Sequence, residues 1–359
     1  MSLEITFLGT GAAFPSPSRG ASAMVLRREG QCWLFDCGEG TQTQLMRSHL
    51  RAARITKIFI THLHGDHIFG LPGLLCTLSL QSNPEASKAP VDIYGPLGLR
   101  SFLWRSLELS HSQLLFPITV HELVPTPDQC PPEEFRDFSG LDGGEGLAQG
   151  PPGRVLRLDP GEDSFLLVEE EQLVVRAFRL FHRVPSFGFV LEERPRPGRL
   201  DVQKLRELGV PPGPAYGRLK SGAPVALRGG GSVCPGDVLG APVPGRKVCV
   251  LGDCSAAAGA ERLCRGADLL VHEATLGDGQ RDRARRRGHS TPGSAAELAR
   301  RCGARRLVLT HFSQRYRPAA SGDGDSHVAE LRRQAEAVLG GPEVTLAEDF
   351  MTIEIPLKK

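Results

Sequence analysis

The chain has 359 residues, with 43 Lys and Arg against 41 Asp and Glu, so its formal charge is only +2. That balance excludes holding nucleic acid or a membrane surface by bulk charge; a polyanion would have to be met by a local patch. The length suffices for a large core, the nine cysteines lack any C-x-x-C pair and fit reduced thiols in an intracellular protein, and no stretch approaches the ~20 apolar residues of a membrane helix.

Residues 3–8 form an apolar run without a basic leader, too short for a signal peptide, and read as a first strand. Similar runs at 32–36, 55–61 and 91–94 are set apart by Gly and Pro turns, with helical patterns at 41–49, 73–80 and 97–109 between them. Strands alternating with helices predict an α/β architecture whose strands are covered on their outer faces. Residues 131–153 are rich in Gly, Pro, Asp and Glu, a composition that buries little, and are expected as an exposed, flexible Gly/Pro-rich loop. Strands resume at 164–168, 173–181 and 187–191. Residues 194–231 then break the pattern. Prolines crowd it, Arg194, Arg196, Arg199, Lys204, Arg206, Arg218 and Lys220 make it basic, and 201–208 is its one short helix. It reads as an inserted arm. Strands at 247–251, 268–271 and 307–310 and helices at 291–301 and 327–339 complete the pattern.

The β-rich run 55–61 leads straight into His62-Leu-His64-Gly-Asp66-His67. Imidazole nitrogen and carboxylate oxygen are the donors that borderline cations such as zinc prefer. Four such residues within six positions point to a metal loop, and Gly65 is expected to permit its sharp turn. Further donors sit where apolar strands end: Asp36, His182, Asp253 and His311. In α/β sheets the strand ends face a common crevice, so these residues are expected to converge. Seven of them suffice for two ions. His62, His64 and His182 are assigned to one, Asp66, His67 and His311 to the other, and Asp253 to bridge them. Asp36 is expected to orient a ligand histidine. Two cations ~3.5–4 Å apart suit phosphate-ester hydrolysis.

The metal loop with its later His, Asp and His resembles the metallo-β-lactamase fold, and within it the short form of tRNase Z, the tRNA 3′ endonuclease. The match runs over nearly the whole chain: Phe7-Leu-Gly-Thr-Gly-Ala-Ala-Phe14, Phe35-Asp-Cys-Gly-Glu-Gly-Thr-Gln42, Phe181-His-Arg-Val-Pro-Ser-Phe-Gly188, His272-Glu-Ala-Thr275 and His289-Ser-Thr291. The resemblance implies a single domain over 1–359, a four-layer αββα sandwich with an inserted arm, two Zn2+ per subunit and a tRNA or pre-tRNA substrate from which a 3′ trailer or an aberrant (modified or cyclic-phosphate) 3′ terminus is removed to leave a 3′-hydroxyl. It implies His289 as proton donor to the leaving 3′ oxygen, Glu273 as the carboxylate that keeps it cationic, and Asp66 as base for the attacking water. It also implies that the 194–231 arm grips tRNA by its phosphates, in a homodimer where one subunit's arm serves the other's active site.

Two other readings share part of this evidence. A thioesterase or lactonase on the same fold needs the metal loop but neither the His289/Glu273 pair nor a basic arm. A non-catalytic RNA-binding module needs the arm but not the ligands. A dinucleotide site at Gly9-Thr-Gly11 lacks the third glycine. The basic run from Arg281 to Arg287 fits a solvated helix face and an RNA contact equally well. The expected compartment is the cytosol, with the nucleus as a second.

Overall fold

The structure, a computed structural model, describes residues 2–81, 90–130, 150–227, 229–317, 327–341 and 343–358. The N-terminal half supplies β1 (Leu3–Gly9), β2 (Ala23–Arg28), β3 (Gln31–Phe35), β4 (Ile55–Phe59), β5 (Val91–Pro96), β6 (Ile118–Leu123) and β7 (Val155–Leu156). Helices α1 (Thr41–Arg47), α2 (Gly65–Ile68), α3 (Leu71–Leu80) and α4 (Leu99–Leu109) lie between them. Next come β8 (Phe165–Glu169), β9 (Leu173–Phe181) and β10 (Ser186–Glu193). An excursion carries α5 (Val202–Glu207), α6 (Pro214–Lys220), β11 (Val225–Ala226), β12 (Ser232–Val233) and α7 (Pro235–Val238). The chain closes with β13 (Lys247–Val250), β14 (Ala256–Ala257), α8 (Ala260–Leu263), β15 (Leu269–Glu273), α9 (Arg281–Arg286), α10 (Pro292–Cys302), β16 (Arg306–Thr310), α11 (Val328–Leu339), β17 (Glu343–Leu346) and β18 (Thr352–Glu354).

One sheet runs β18-β1-β2-β3-β4-β5-β6-β7, the other β14-β9-β10-β13-β15-β16-β17 with β8 also on β9. From β3 to β7, and from β13 to β17, the pairing is parallel. Parallel strands are covered on both faces, which is why the sequence shows continuous apolar runs rather than alternation. Three apolar clusters match the three contacts between four layers. Ile5, Phe35 and Phe59 of the first sheet meet Phe187, Phe189 and Val250 of the second. The outer face of the first sheet packs on α1, α3 and α4 through Leu34, Ile58, Leu45, Leu74 and Leu103. The outer face of the second packs on α8, α10 and α11 through Leu270, Leu309, Leu263, Ala296 and Leu331. Phe59 anchors the centre, with ring centroids 4.9 Å from Phe35, 5.2 Å from Tyr94 and 5.4 Å from Phe189 across the sheets. The expected αββα sandwich is the observed one.

Several elements exceed the sequence reading. β18 has three residues and no pattern of its own; it exists because Glu4, Ile5 and Thr6 offer it partners. The metal loop is not wholly a loop, since Asp66 and His67 lie in α2. Gly65 is helical there and makes no left-handed turn; a Cβ would meet only the exposed Phe69 ring, at 2.3 Å. Of the expected loop 131–153, residues 131–149 lie outside the described residues.

The insertion is also longer than 194–231. Leu205, Val210 and Leu219 share one small core with Val233 and Val238, and the stems pair at Arg196↔Val243 and Leu200↔Leu239. The glycines that look like an end at 229–231 are the turn between β11 and β12, where Leu227 N–H donates to Gly231 O at 3.0 Å. At the root, the buried Arg246 guanidinium donates to Glu193 Oε2 at 2.8 Å and Oε1 at 2.6 Å, and to Ile355 O at 3.0 Å. This pair clamps the two stems to the C-terminal segment. Arg246→Met leaves the Glu193 carboxylate without its main partner and is expected to cost about 3–5 kcal/mol in urea unfolding; a loss below about 1 kcal/mol would show that the clamp is dispensable.

Candidate metal centre

Both sheets end at one edge, and their donors meet there. The exit of β4 supplies His62 and His64, α2 supplies Asp66 and His67, and the exit of β9 supplies His182. Asp253 follows β13 and His311 follows β16. His64 Nδ1 lies 3.1 Å from both His62 Nε2 and His182 Nε2. Across the site, His311 Nε2 lies 3.3 Å from His67 Nε2 and 3.4 Å from Asp66 Oδ2. These are two three-donor sets, each with its donor atoms within 4.8 Å of one another. Asp253 stands between them. Its Oδ2 lies 3.8 Å from His62 Nε2 and 3.9 Å from His182 Nε2, while Oδ1 lies 3.6 Å from His67 Nε2 and 3.3 Å from His311 Nδ1.

Neutral imidazoles crowded this closely, with bare nitrogens face to face, gain little from one another; they fit shared cations. The hydrogen bonds fix which nitrogen is bare. His67 Nδ1 donates to Asp36 Oδ2 at 2.7 Å. The Thr61 hydroxyl donates to the same carboxylate at 2.9 Å, so it accepts from His62 Nδ1 at 3.0 Å. His182 Nδ1 donates to Gly288 O at 2.6 Å. The Thr275 hydroxyl donates to Glu273 Oε2 at 2.5 Å and accepts from His311 Nδ1 at 2.9 Å. His62, His182 and His311 thus present Nε2 as a free lone pair, His64 presents Nδ1, and His67 offers Nε2 once its proton is displaced. Asp36 and His311 hold left-handed backbone, at φ 56° and 57°, as does Ala13 at 71°, whose N–H donates to Asp66 Oδ2 at 2.7 Å. Such strain clusters at functional sites.

Electrostatics sorts the site further. Burial pushes His62 well below its usual range and, with His182 beside it, lowers His64 to about 4. Burial also works against charge on His67, but the Asp36 and Asp253 carboxylates outweigh it and raise His67 to about 10. For Asp66, burial is outweighed by its contact with His311, and the carboxyl stays ionised. His289, outside the seven, sits with Nδ1 3.1 Å from Glu273 Oε1 and 3.6 Å from Asp253 Oδ2. Burial would lower it, yet the Glu273 carboxylate prevails and raises it to about 9. His289 lines the same cleft of about 820 Å³ as His64, Asp66, Asp253 and His311, with Arg183 and Arg287 on its wall.

Residues 3–114 match the model described as Anti-Pycsar protein Apyc1, and residues 219–312 match the beta-lactamase superfamily domain. The crystal structure of human tRNase Z, short form, is similar with a TM-score of 0.68 and 50% identity, covering 99% of this chain and 100% of that one. Zinc phosphodiesterase ELAC protein 1 of Mus musculus is 64% identical over 364 residues, and that of Homo sapiens 62%, each alignment covering 100% of both chains. The chain belongs to the short-form tRNase Z family. Ribonuclease Z of Limosilactobacillus fermentum is 38% identical over 360 residues, covering 99% of this chain and 100% of that one.

All seven donors expected of a tRNase Z come together, with Asp36, Glu273 and His289 beside them. The sequence reading missed Thr61, Thr275 and Gly288, which complete the hydrogen bonds behind the ligands. The signal was available: every ligand imidazole needs a partner for its second nitrogen. Asp36→Asn removes the charge that holds His67 and is expected to weaken cation affinity about 10–100-fold in chelator competition; a change under about twofold would show that Asp36 does not tune the site. Below pH 10 a cation reaching His67 Nε2 displaces a proton, so affinity should fall as pH falls and binding near pH 7.5 should release about one proton. Calorimetry in buffers of different ionisation enthalpy checks this, and buffer-independent heats would contradict it.

Proposed function

We propose that this chain is a zinc-dependent phosphodiesterase that cuts tRNA precursors at their 3′ end and leaves a 3′-hydroxyl on the tRNA. One observation carries the reading: a carboxylate-held histidine, His289 on Glu273, faces the same cleft as a seven-donor centre. The names of the relatives, zinc phosphodiesterase and ribonuclease Z, support it.

In this reading His62, His64 and His182 hold one cation, Asp66, His67 and His311 the other, and Asp253 lies between. Two divalent cations held there would supply the positive charge that acidifies a water and neutralises phosphoryl oxygens. The protein's own groups then divide the proton work. Asp66 stays ionised and takes the proton of the attacking water. His289 spends Nδ1 on Glu273, whose carboxylate favours its charged form, and gives a proton to the 3′ oxygen as it leaves. A thioester, whose thiolate leaves unprotonated, needs no such donor, so the pair favours a reaction that expels an alkoxide, as phosphodiester cleavage does.

We further infer a homodimer in which each arm serves the partner's active site. The start of β10 touches the metal edge, where Phe187 N–H donates to Thr61 O at 2.9 Å, but the arm leaves from the other end, at Glu193. Seven residue steps put its root about 23 Å from the centre. No helix among the described residues is long and apolar enough to cross a membrane. The nine free cysteines support the cytosol, with the nucleus equally reducing, as the compartment.

His64→Ala is expected to lose bound zinc and, with it, more than about 100-fold in precursor cleavage; two equivalents of zinc retained at full activity would refute the ligand set. Mixing that inactive protein with an arm-deleted protein should restore cleavage, because a hybrid dimer pairs an intact centre with a partner's arm. Absence of rescue, with hybrid dimers present by mass, would place the arm on its own subunit's site.

A further inference from the structure

The run Arg281 to Arg287 remains unused by this mechanism. In the structure it is α9 and its C-terminal turn, exposed at every arginine. Arg283, Arg285, Arg286 and Arg287 enter no ion pair among the described residues, and Arg281 reaches only Glu297, at 3.1 Å. Arg287, Arg183 and Arg315 line the catalytic cleft. Arg315 also lines an adjoining cleft of about 620 Å³ with Arg281, Arg283 and Arg286. Asp278 and Asp282 line the second cleft as well, so four arginines face two carboxylates there; the two clefts meet at Arg315 and form one net basic track.

This track is tied to the chemistry. α9 ends at Gly288, whose carbonyl holds His182 and whose next residue is His289. A Cβ on Gly288 would lie 2.5 Å from His182 Nδ1, so backbone and ligand are in direct contact. The segment is pinned behind as well, by Gly293 N–H to Asp278 Oδ1 at 3.0 Å and Asp278 N–H to the Gln334 side chain at 2.7 Å. Unpaired arginines on a braced helix suit phosphates, which they contact bidentately without reading bases.

The direction of the track follows from the leaving group. If His289 protonates the departing 3′ oxygen, its side of the cleft belongs to the nucleotide that carries that oxygen. That is the tRNA side of the cut, not the trailer side. We propose that the arginine face of α9 holds the backbone phosphates immediately 5′ to the bond that is cut. The six residues of α9 extend about 9 Å, enough for one or two phosphates. This inference rests on the reading of the chain as a tRNA 3′ endonuclease.

The experiment uses the full-length zinc-loaded protein and a precursor tRNA carrying single methylphosphonates, which remove one phosphate charge, on either side of the cut. In the wild type, replacement of either of the two phosphates 5′ to the cut should lower kcat/KM about tenfold, and replacement on the trailer side less than twofold. In R283Q/R286Q, kcat/KM should start about tenfold lower or more, the 5′ replacements should cost nothing further, and the salt slope should drop by about 1 to 2. A wild-type penalty confined to the trailer side, or an unchanged 5′ penalty in the variant, overturns the inference. The wild-type pattern stands whether or not the variant folds. No cleavage of the precursor by wild type would overturn the endonuclease reading and this inference together, whereas cleavage with the wrong pattern overturns the inference alone.

Discussion

The centre depends on one buried carboxylate. Asp36 follows β3 in left-handed backbone, with its own N–H on Phe59 O at 2.8 Å. Its oxygens accept Thr61 N–H at 2.7 Å, the Thr61 hydroxyl at 2.9 Å and His67 Nδ1 at 2.7 Å. Through Thr61 it also sets His62. A single side chain thus fixes the exit of β4, the orientation of α2 and the tautomers of two imidazoles. The left-handed backbone costs about 1–3 kcal/mol, and only a rigid surrounding structure can impose it. Here the stacked Phe35, Phe59 and Tyr94 rings supply that rigidity, Phe35 immediately before Asp36 and Phe59 two residues before Thr61.

The second sheet repeats the principle with the same kinds of donor. Glu273, at the end of β15, accepts Cys254 N–H at 2.8 Å, the Thr275 hydroxyl at 2.5 Å and His289 Nδ1 at 3.1 Å. It therefore braces the loop that bears Asp253, the threonine partner of His311, and His289, all at once. Buried polar networks are costly when partly satisfied and rigid when complete. This one is complete around the ligands, so the donor set is preorganised from both sheets.

Much of this was legible in the chain. The α/β alternation, the metal loop and the strand-end donors could be read because apolar runs and ligand residues leave local patterns. Elements whose existence depends on a partner could not. β18 needs β1, and the true extent of the arm needs the packing of Val233 and Val238 onto Leu205. The role given to Gly65 was wrong in cause, since Gly65 opens the short helix α2 and makes no left-handed turn, and its near neighbour is the exposed Phe69 ring one turn on. Thr61 and Thr275 were missed because the need of a ligand imidazole for a partner does not say which residue fills it: Thr61 adjoins His62, but Thr275 reaches His311 from 36 residues away.

The central claim is a two-cation centre built from His62, His64, His182, Asp66, His67, His311 and Asp253. Anomalous diffraction at the zinc absorption edge, from crystals of the zinc-loaded protein, tests it most directly. The account predicts two peaks, one within reach of His62, His64 and His182 and one within reach of Asp66, His67 and His311, with Asp253 between them. A single peak, or a peak held by His289 and Glu273 in place of either set, would contradict it.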